Sequence, residues 1–125
     1  MQYLKVNNNP KGKKCADCVV RAISRATGKS WEEVLTELTE LALKVKAMPS
    51  EKAVYDKYLE QHGFMKMKQP RKSNGLKYKV GELDAICKSK VMIISMANHI
   101  TVCIDGVLED TWDCRRKTIG NFYVR

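Results

Sequence analysis

A cysteine, a histidine and a carboxylate occur in that order in two stretches far apart in the chain. The first is Cys15-Ala16-Asp17-Cys18-Val19; the second is His99-Ile100-Thr101-Val102-Cys103-Ile104-Asp105, followed by Asp110-Thr111-Trp112. These residue types make up a thiol nucleophile, its base and the group that orients the base. A cysteine in the first turn of a helix is acidified by the unpaired N–H groups there, and a histidine on a distant strand completes a thiolate–imidazolium pair. Such a set is suited to acyl transfer, in which Cys18 would attack, His99 would carry the proton and Asp110 would orient His99.

The elements that must position these residues are legible in part. Asn7-Asn8-Asn9-Pro10-Lys11-Gly12 is a loop that delivers the chain to Asp17-Cys18. Asp17 is a suitable N-cap, and Val19, Ala22, Ile23 and Ala26 fall at helical spacing, so a helix is expected over residues 18 to 27, ended by Gly28. Ser30 and Glu33 form a capping-box pattern. Trp31, Val34, Leu35, Leu38, Leu41, Ala42 and Val45 then trace the core-facing stripe of a second helix up to Pro49. Ser50 is expected to cap a third helix reaching about Gln61, with Gly63 at its end. His62, at that helix end, is accounted for by the helix dipole and takes no catalytic role. Residues 64 to 79 read as a short strand and a basic loop, and residues 81 to 88 as a short helix. An apolar strand at residues 91 to 96 and three more at 99 to 105, 107 to 113 and 118 to 124 follow. Helices first and strands after make the chain α+β, with N-terminal helices packed on a C-terminal antiparallel sheet.

Asp105-Gly106 is a hairpin turn. Ile104 then pairs with Val107, Thr101 with Asp110 and His99 with Trp112, and alternation puts His99, Thr101, Asp110 and Trp112 on one face. Asp110 becomes the diagonal neighbour of His99, with Trp112 shielding the bond between them. A one-residue change of turn length would reverse the parity and favour Asp113.

These stretches resemble the papain-like cysteine peptidases. Cys15-Ala16-Asp17-Cys18-Val19 is similar to the family's Cys-Gly-Ser-Cys-Trp segment at the start of its first helix, and Asp110-Thr111-Trp112 is similar to its Asn-Ser-Trp run after the histidine hairpin. The Asp-Cys pair with an aspartate orienter also resembles the smaller bacteriocin-processing peptidases of that fold. The Asp-Cys-Val-Val-Arg-Ala opening and the Asp-Gly-Val-Leu-Glu-Asp-Thr-Trp-Asp hairpin resemble small phage and prophage proteins, which implies a phage origin. The resemblance covers about residues 15 to 113 and implies a papain-like fold with Cys18, His99 and Asp110 as its catalytic set. It departs at Gly12, where the family places a glutamine that stabilises the oxyanion. The backbone N–H of Cys18 serves as one donor, and Asn7, Asn8 or Asn9 are the candidates for the second.

At 125 residues the chain is expected to be a single papain-like domain: a helical half about 15–63, a basic loop about 66–79 and a sheet half about 91–125. No apolar run approaches a membrane span and nothing marks the start for secretion, so a cytoplasmic protein with no membrane partner is expected, in the bacterial host if phage-encoded. Five cysteines, an odd number, argue against a disulfide framework. Cys15-x-x-Cys18 also matches a redox motif, but no strand directly precedes it; a zinc site lacks a second C-x2-C pair. No cofactor and no metal are therefore expected.

The net charge of +9 fits a peptide or protein substrate with acidic character, and the basic loop would border the cleft and select such sequences. The same charge would also attract nucleic acid, but no nucleic-acid-binding signature accompanies it. The alternative function is a catalytically inactive binding protein of the same fold. It would engage a host protein or nucleic acid through the basic surface, for example against a defence system, and would have a sealed Cys18.

Overall fold

A computed structural model describes residues 1–125. Helix α1 (Cys18–Thr27) forms where Val19, Val20, Ala22, Ile23 and Ala26 fall on one buried stripe, and it stops at Gly28, whose φ of 76° only glycine adopts freely. Helix α2 (Trp31–Val45) opens on the expected Ser30–Glu33 capping box. It closes at Lys46 in a left-handed conformation, short of Pro49. Helix α3 (Lys52–Gln61) is preceded by Glu51, not Ser50, at its N-cap.

The remaining elements are strands β1 (Gln2–Lys5), β2 (Met65–Met67), β3 (Val91–Met96), β4 (His99–Ile104), β5 (Val107–Asp110) and β6 (Phe122–Val124). The helix expected at 81 to 88 is a 3-10 turn at Val80–Glu82 running into α4 (Leu83–Ile86). The expected strands 107 to 113 and 118 to 124 are shortened to β5 and β6.

All six strands form one sheet in the order β1-β5-β4-β3-β6-β2, so the molecule is α+β with a mixed sheet. This corrects the antiparallel C-terminal sheet expected from the sequence. β1 comes from the N-terminal segment and pairs parallel with β5, from Gln2↔Val107 to Lys5↔Asp110, and β2 closes the other edge on β6. β1 escapes sequence patterning because an edge strand held by backbone bonds needs no alternation of polar and apolar side chains.

Helices α1, α2 and α3 pack on one face of the sheet, where Ile23, Val34, Leu38 and Leu59 meet Ile93, Ile100 and Val102. The opposite face carries a second apolar cluster, with Met92, Ile94, Cys103 and Leu108 covered by Val80, Leu83, Cys114 and Ile119. Burying each large aliphatic side chain contributes roughly 1.5–3 kcal/mol, so the two clusters fix β3 and β4 from both sides. The rigid centre of the sheet thereby presents His99, the first residue of β4, to the N-terminus of α1.

Candidate functional site

Asp105 and Gly106 both have positive φ, 50° and 76°, and make the tight turn that sets the β4–β5 register at Ile104↔Val107, Cys103↔Leu108 and Val102↔Glu109. That register carries Asp110 to His99: His99 Nε2 lies 2.6 Å from Asp110 Oδ2. The β4–β5 ladder ends at Val102↔Glu109 and Asp110 pairs with Lys5 of β1 instead, so neither the expected Thr101–Asp110 pair nor the His99–Trp112 pair forms through the backbone. The Trp112 ring instead lies against the imidazole at a centroid distance of 4.9 Å. Asp113 is exposed and bound to Arg115, which leaves Asp110 as the carboxylate at His99.

Asp110 is itself held from several directions. Arg21 Nη1 donates to its other oxygen, Oδ1, at 3.1 Å, and the Thr111 N–H donates to the same atom at 2.7 Å. Its backbone carbonyl accepts from Val6 N at 2.9 Å and from the Tyr3 hydroxyl at 3.2 Å, both brought by β1 and the residue after it. Burial pushes the Asp110 carboxyl up, but the His99 bond and charge outweigh it and bring it to about 2. Burial likewise lowers His99, and its partners Asp110, Cys114 and Cys18 overcome this and raise it to about 11. The imidazolium is the stable form.

Cys18 is the first residue of α1, half-buried, with the His99 ring beside its thiol. Burial raises the thiol, while His99, the backbone at Ile100 and the Arg21 charge together hold it below its ordinary value. Cys18 and His99 both line an open groove of about 320 Å³ whose floor is formed by Val19, Tyr55, Met96 and Ile100.

Asp17, expected to cap α1, makes no capping bond. Its buried carboxylate instead accepts from Arg21 Nε at 2.8 Å, Trp31 Nε1 at 3.0 Å and Asn9 Nδ2 at 3.2 Å. Arg21 thus joins Asp17 to Asp110 and links α1 to β5. Its i,i+4 spacing from Asp17 is the sequence signal that marks it. The three asparagines are also committed: Asn7 and Asn8 amides bond to the carbonyls of Lys13 and Arg21, and Asn9 to Asp17 and the Cys15 sulfur. Asn9 has both amide donors engaged, and none of the three lines the groove at Cys18, so the second oxyanion donor expected of them is not in place. The backbone N–H of Cys18 has no acceptor within the helix and remains as a donor at the nucleophile.

The basic loop does not border this groove, contrary to expectation, because β2 carries it to the far edge of the sheet. Lys66 and Lys72 there pair with Asp56 and Glu82. The lysine that does line the groove is Lys52, from α3. All five cysteines are free; Cys15 is exposed. His99, Asp110 and Cys114 place ligand-type atoms within 4.8 Å of one another. The 2.6 Å between His99 Nε2 and Asp110 Oδ2 is nonetheless a hydrogen bond, shorter than the roughly 3.3 Å that separates two ligands of one tetrahedral zinc. No helix is long and apolar enough to cross a membrane.

Comparison with family models, curated protein sequences and solved structures returns no match to this chain.

Proposed function

We propose that this protein is a papain-like cysteine hydrolase that breaks an amide, isopeptide or thioester bond by acyl transfer through Cys18. The observation that carries this is the placement of the Cys18 thiol and the His99 ring side by side in an open groove, with Asp110 2.6 Å behind the ring. The order of the parts supports the papain-like assignment: the cysteine opens the first helix, the histidine opens a strand, and the acid stands across the following hairpin.

The Cys18 thiolate attacks the carbonyl carbon, forming a C–S bond and moving the carbonyl π pair onto oxygen, where the Cys18 N–H and the α1 dipole stabilise the charge. The intermediate collapses, the bond to the leaving group breaks, and His99 gives that group its proton. Water then attacks the thioester, His99 takes the proton from water, and the C–S bond breaks to release the acid and regenerate the thiolate. Asp110 holds the imidazole throughout by its Nε2, which leaves Nδ1 as the nitrogen that exchanges the proton. An inactive binding protein would have a sealed Cys18, whereas here the thiol opens onto a groove.

The test is the pH dependence of iodoacetamide alkylation, with the modified cysteine identified by mass spectrometry and a His99→Ala variant run alongside. Selective modification of Cys18 with an apparent pKa well below the free-thiol ~8.5, lost in His99→Ala, is the expected result. A Cys18 no more reactive than the exposed Cys15 would overturn the proposal.

A further inference from the structure

The groove above Cys18 draws its walls from three elements: α1 gives Cys18 and Val19, the β3–β4 hairpin gives Met96, His99 and Ile100, and α3 gives Lys52 and Tyr55. No aspartate or glutamate lines it, so its charges are the His99 imidazolium and the Lys52 ammonium. The lysine lacks an acidic partner. Its Nζ donates to the side-chain oxygen of Asn121 at 2.9 Å, and no carboxylate lies within 4.0 Å of it. The acid one turn along α3, Asp56, is engaged by Lys66 at 2.8 Å and by the Tyr123 hydroxyl. Elsewhere Lys29, Lys66 and Lys72 each meet a carboxylate within 3 Å. An ammonium carries three donors, and Asn121 takes one.

We propose that the groove selects an acyl group bearing a carboxylate, such as a peptide with aspartate or glutamate beside the scissile bond, and that Lys52 recognises it. This rests on the hydrolase reading above. A groove of about 320 Å³ shared by Cys18 and Lys52 leaves room for only a few bonds between the reacting carbonyl and the anionic group. The Lys66 ammonium stands beside Lys52 but is balanced by Asp56, so one uncompensated cation remains at the groove, a point charge suited to a monoanion; a dianionic phosphoryl group is better matched by an arginine fork or two free cations. Attraction across such a groove at intermediate dielectric changes binding by about tenfold.

Two alkylating agents test this directly, because iodoacetate and iodoacetamide both transfer a methylene carbon to the thiolate with loss of iodide and differ in the carboxylate. The measured quantity is the iodoacetate-to-iodoacetamide rate ratio at Cys18, referred to the same ratio at exposed Cys15. Lys52→Met is expected to lower the ratio about tenfold, and Lys52→Arg to preserve it. Lys57→Met, which removes an exposed charge from the same helix outside the groove, is expected to leave it unchanged. An unaltered ratio in Lys52→Met, or an equal fall in Lys57→Met showing only the general field of a chain of net charge +9, overturns the assignment. If iodoacetamide does not single out Cys18 in the unaltered protein, the hydrolase reading fails and this proposal fails with it. Selective Cys18 labelling with a ratio indifferent to Lys52 removes this proposal alone.

Discussion

Arg21 Nη1 lies 3.1 Å from Asp110 Oδ1, on the carboxylate oxygen that His99 leaves free. The same guanidinium binds Asp17 through Nε, so one cation balances two carboxylates that are 6% and 2% exposed. Arg21→Met leaves Asp17 with no cation and Asp110 with His99 alone. Leaving a buried charge without its partner costs about 3–5 kcal/mol, on the order of 10–20 °C in melting temperature for a domain of this size. Arg21→Lys should recover only part of this, since a point charge cannot reproduce a fork that spans Asp17 and Asp110. Thermal denaturation of the two variants at pH 7 checks both statements. Equal melting temperatures for Arg21→Met and the unaltered protein would show that the bridge contributes nothing to folding.

The two aspartates near the hairpin end separate orientation from surface charge. Asp110→Asn keeps the side-chain shape but removes the charge that holds the imidazolium, and substitutions of this kind in catalytic triads lower turnover by up to about 10⁴. The expected readout is a Cys18 alkylation profile moved toward that of an ordinary thiol. Asp113, exposed and bound to Arg115, serves as the control. Asp113→Asn should leave the Cys18 profile unchanged, and a reversed result would put the orienting acid at 113.

How much of this was legible depends on what kind of pattern each part leaves. The stripe of α1, the Ser30–Glu33 box and the Asp105-Gly106 turn are local, and the turn alone sets the parity that brings Asp110 to His99. Asp17 misleads for the opposite reason. An aspartate before a helix reads as a cap, yet its partners Trp31 and Asn9 are contributed by tertiary packing, and only the Arg21 spacing hints at the true arrangement. Lys52 leaves no signal at all, because the groove it lines exists only once α3 is laid beside α1 and the β3–β4 hairpin. The basic loop shows the converse: its charge is conspicuous in the sequence, but β2 places it at the far edge.

β1 is the element that sequence patterning missed, and it holds the main chain of Asp110. The Tyr3 hydroxyl and the Val6 N–H both donate to the Asp110 carbonyl. Removing residues 1–5 deletes the β1–β5 ladder and the Tyr3 bond. The expected outcome is a folded chain whose hydrogen exchange is faster along β5 and whose Cys18 has lost selectivity toward iodoacetamide. Retained selectivity would show that the β4–β5 hairpin positions Asp110 unaided.

The His99–Asp110 pair also makes stability depend on pH in a defined window. His99 is raised in the folded protein to about 11 from an unfolded value near ~6.5, so its contribution is complete below ~6.5 and is lost as pH rises toward 11. Asp110 is lowered to about 2 from an unfolded value near ~3.9. Its contribution is therefore complete above ~3.9 and is lost as pH falls toward 2. Both are fully present together only between roughly pH 4 and 6.5. The melting-temperature difference between the unaltered protein and Asp110→Asn should accordingly be largest in that interval and shrink on either side. The imidazole NMR signals of His99 should show no deprotonation step between pH 5 and 8 in the unaltered protein. A His99 that titrates near 6.5 would mean that the carboxylate behind it does not hold the charged form, and the thiolate at Cys18 would then lose the cation that sustains it.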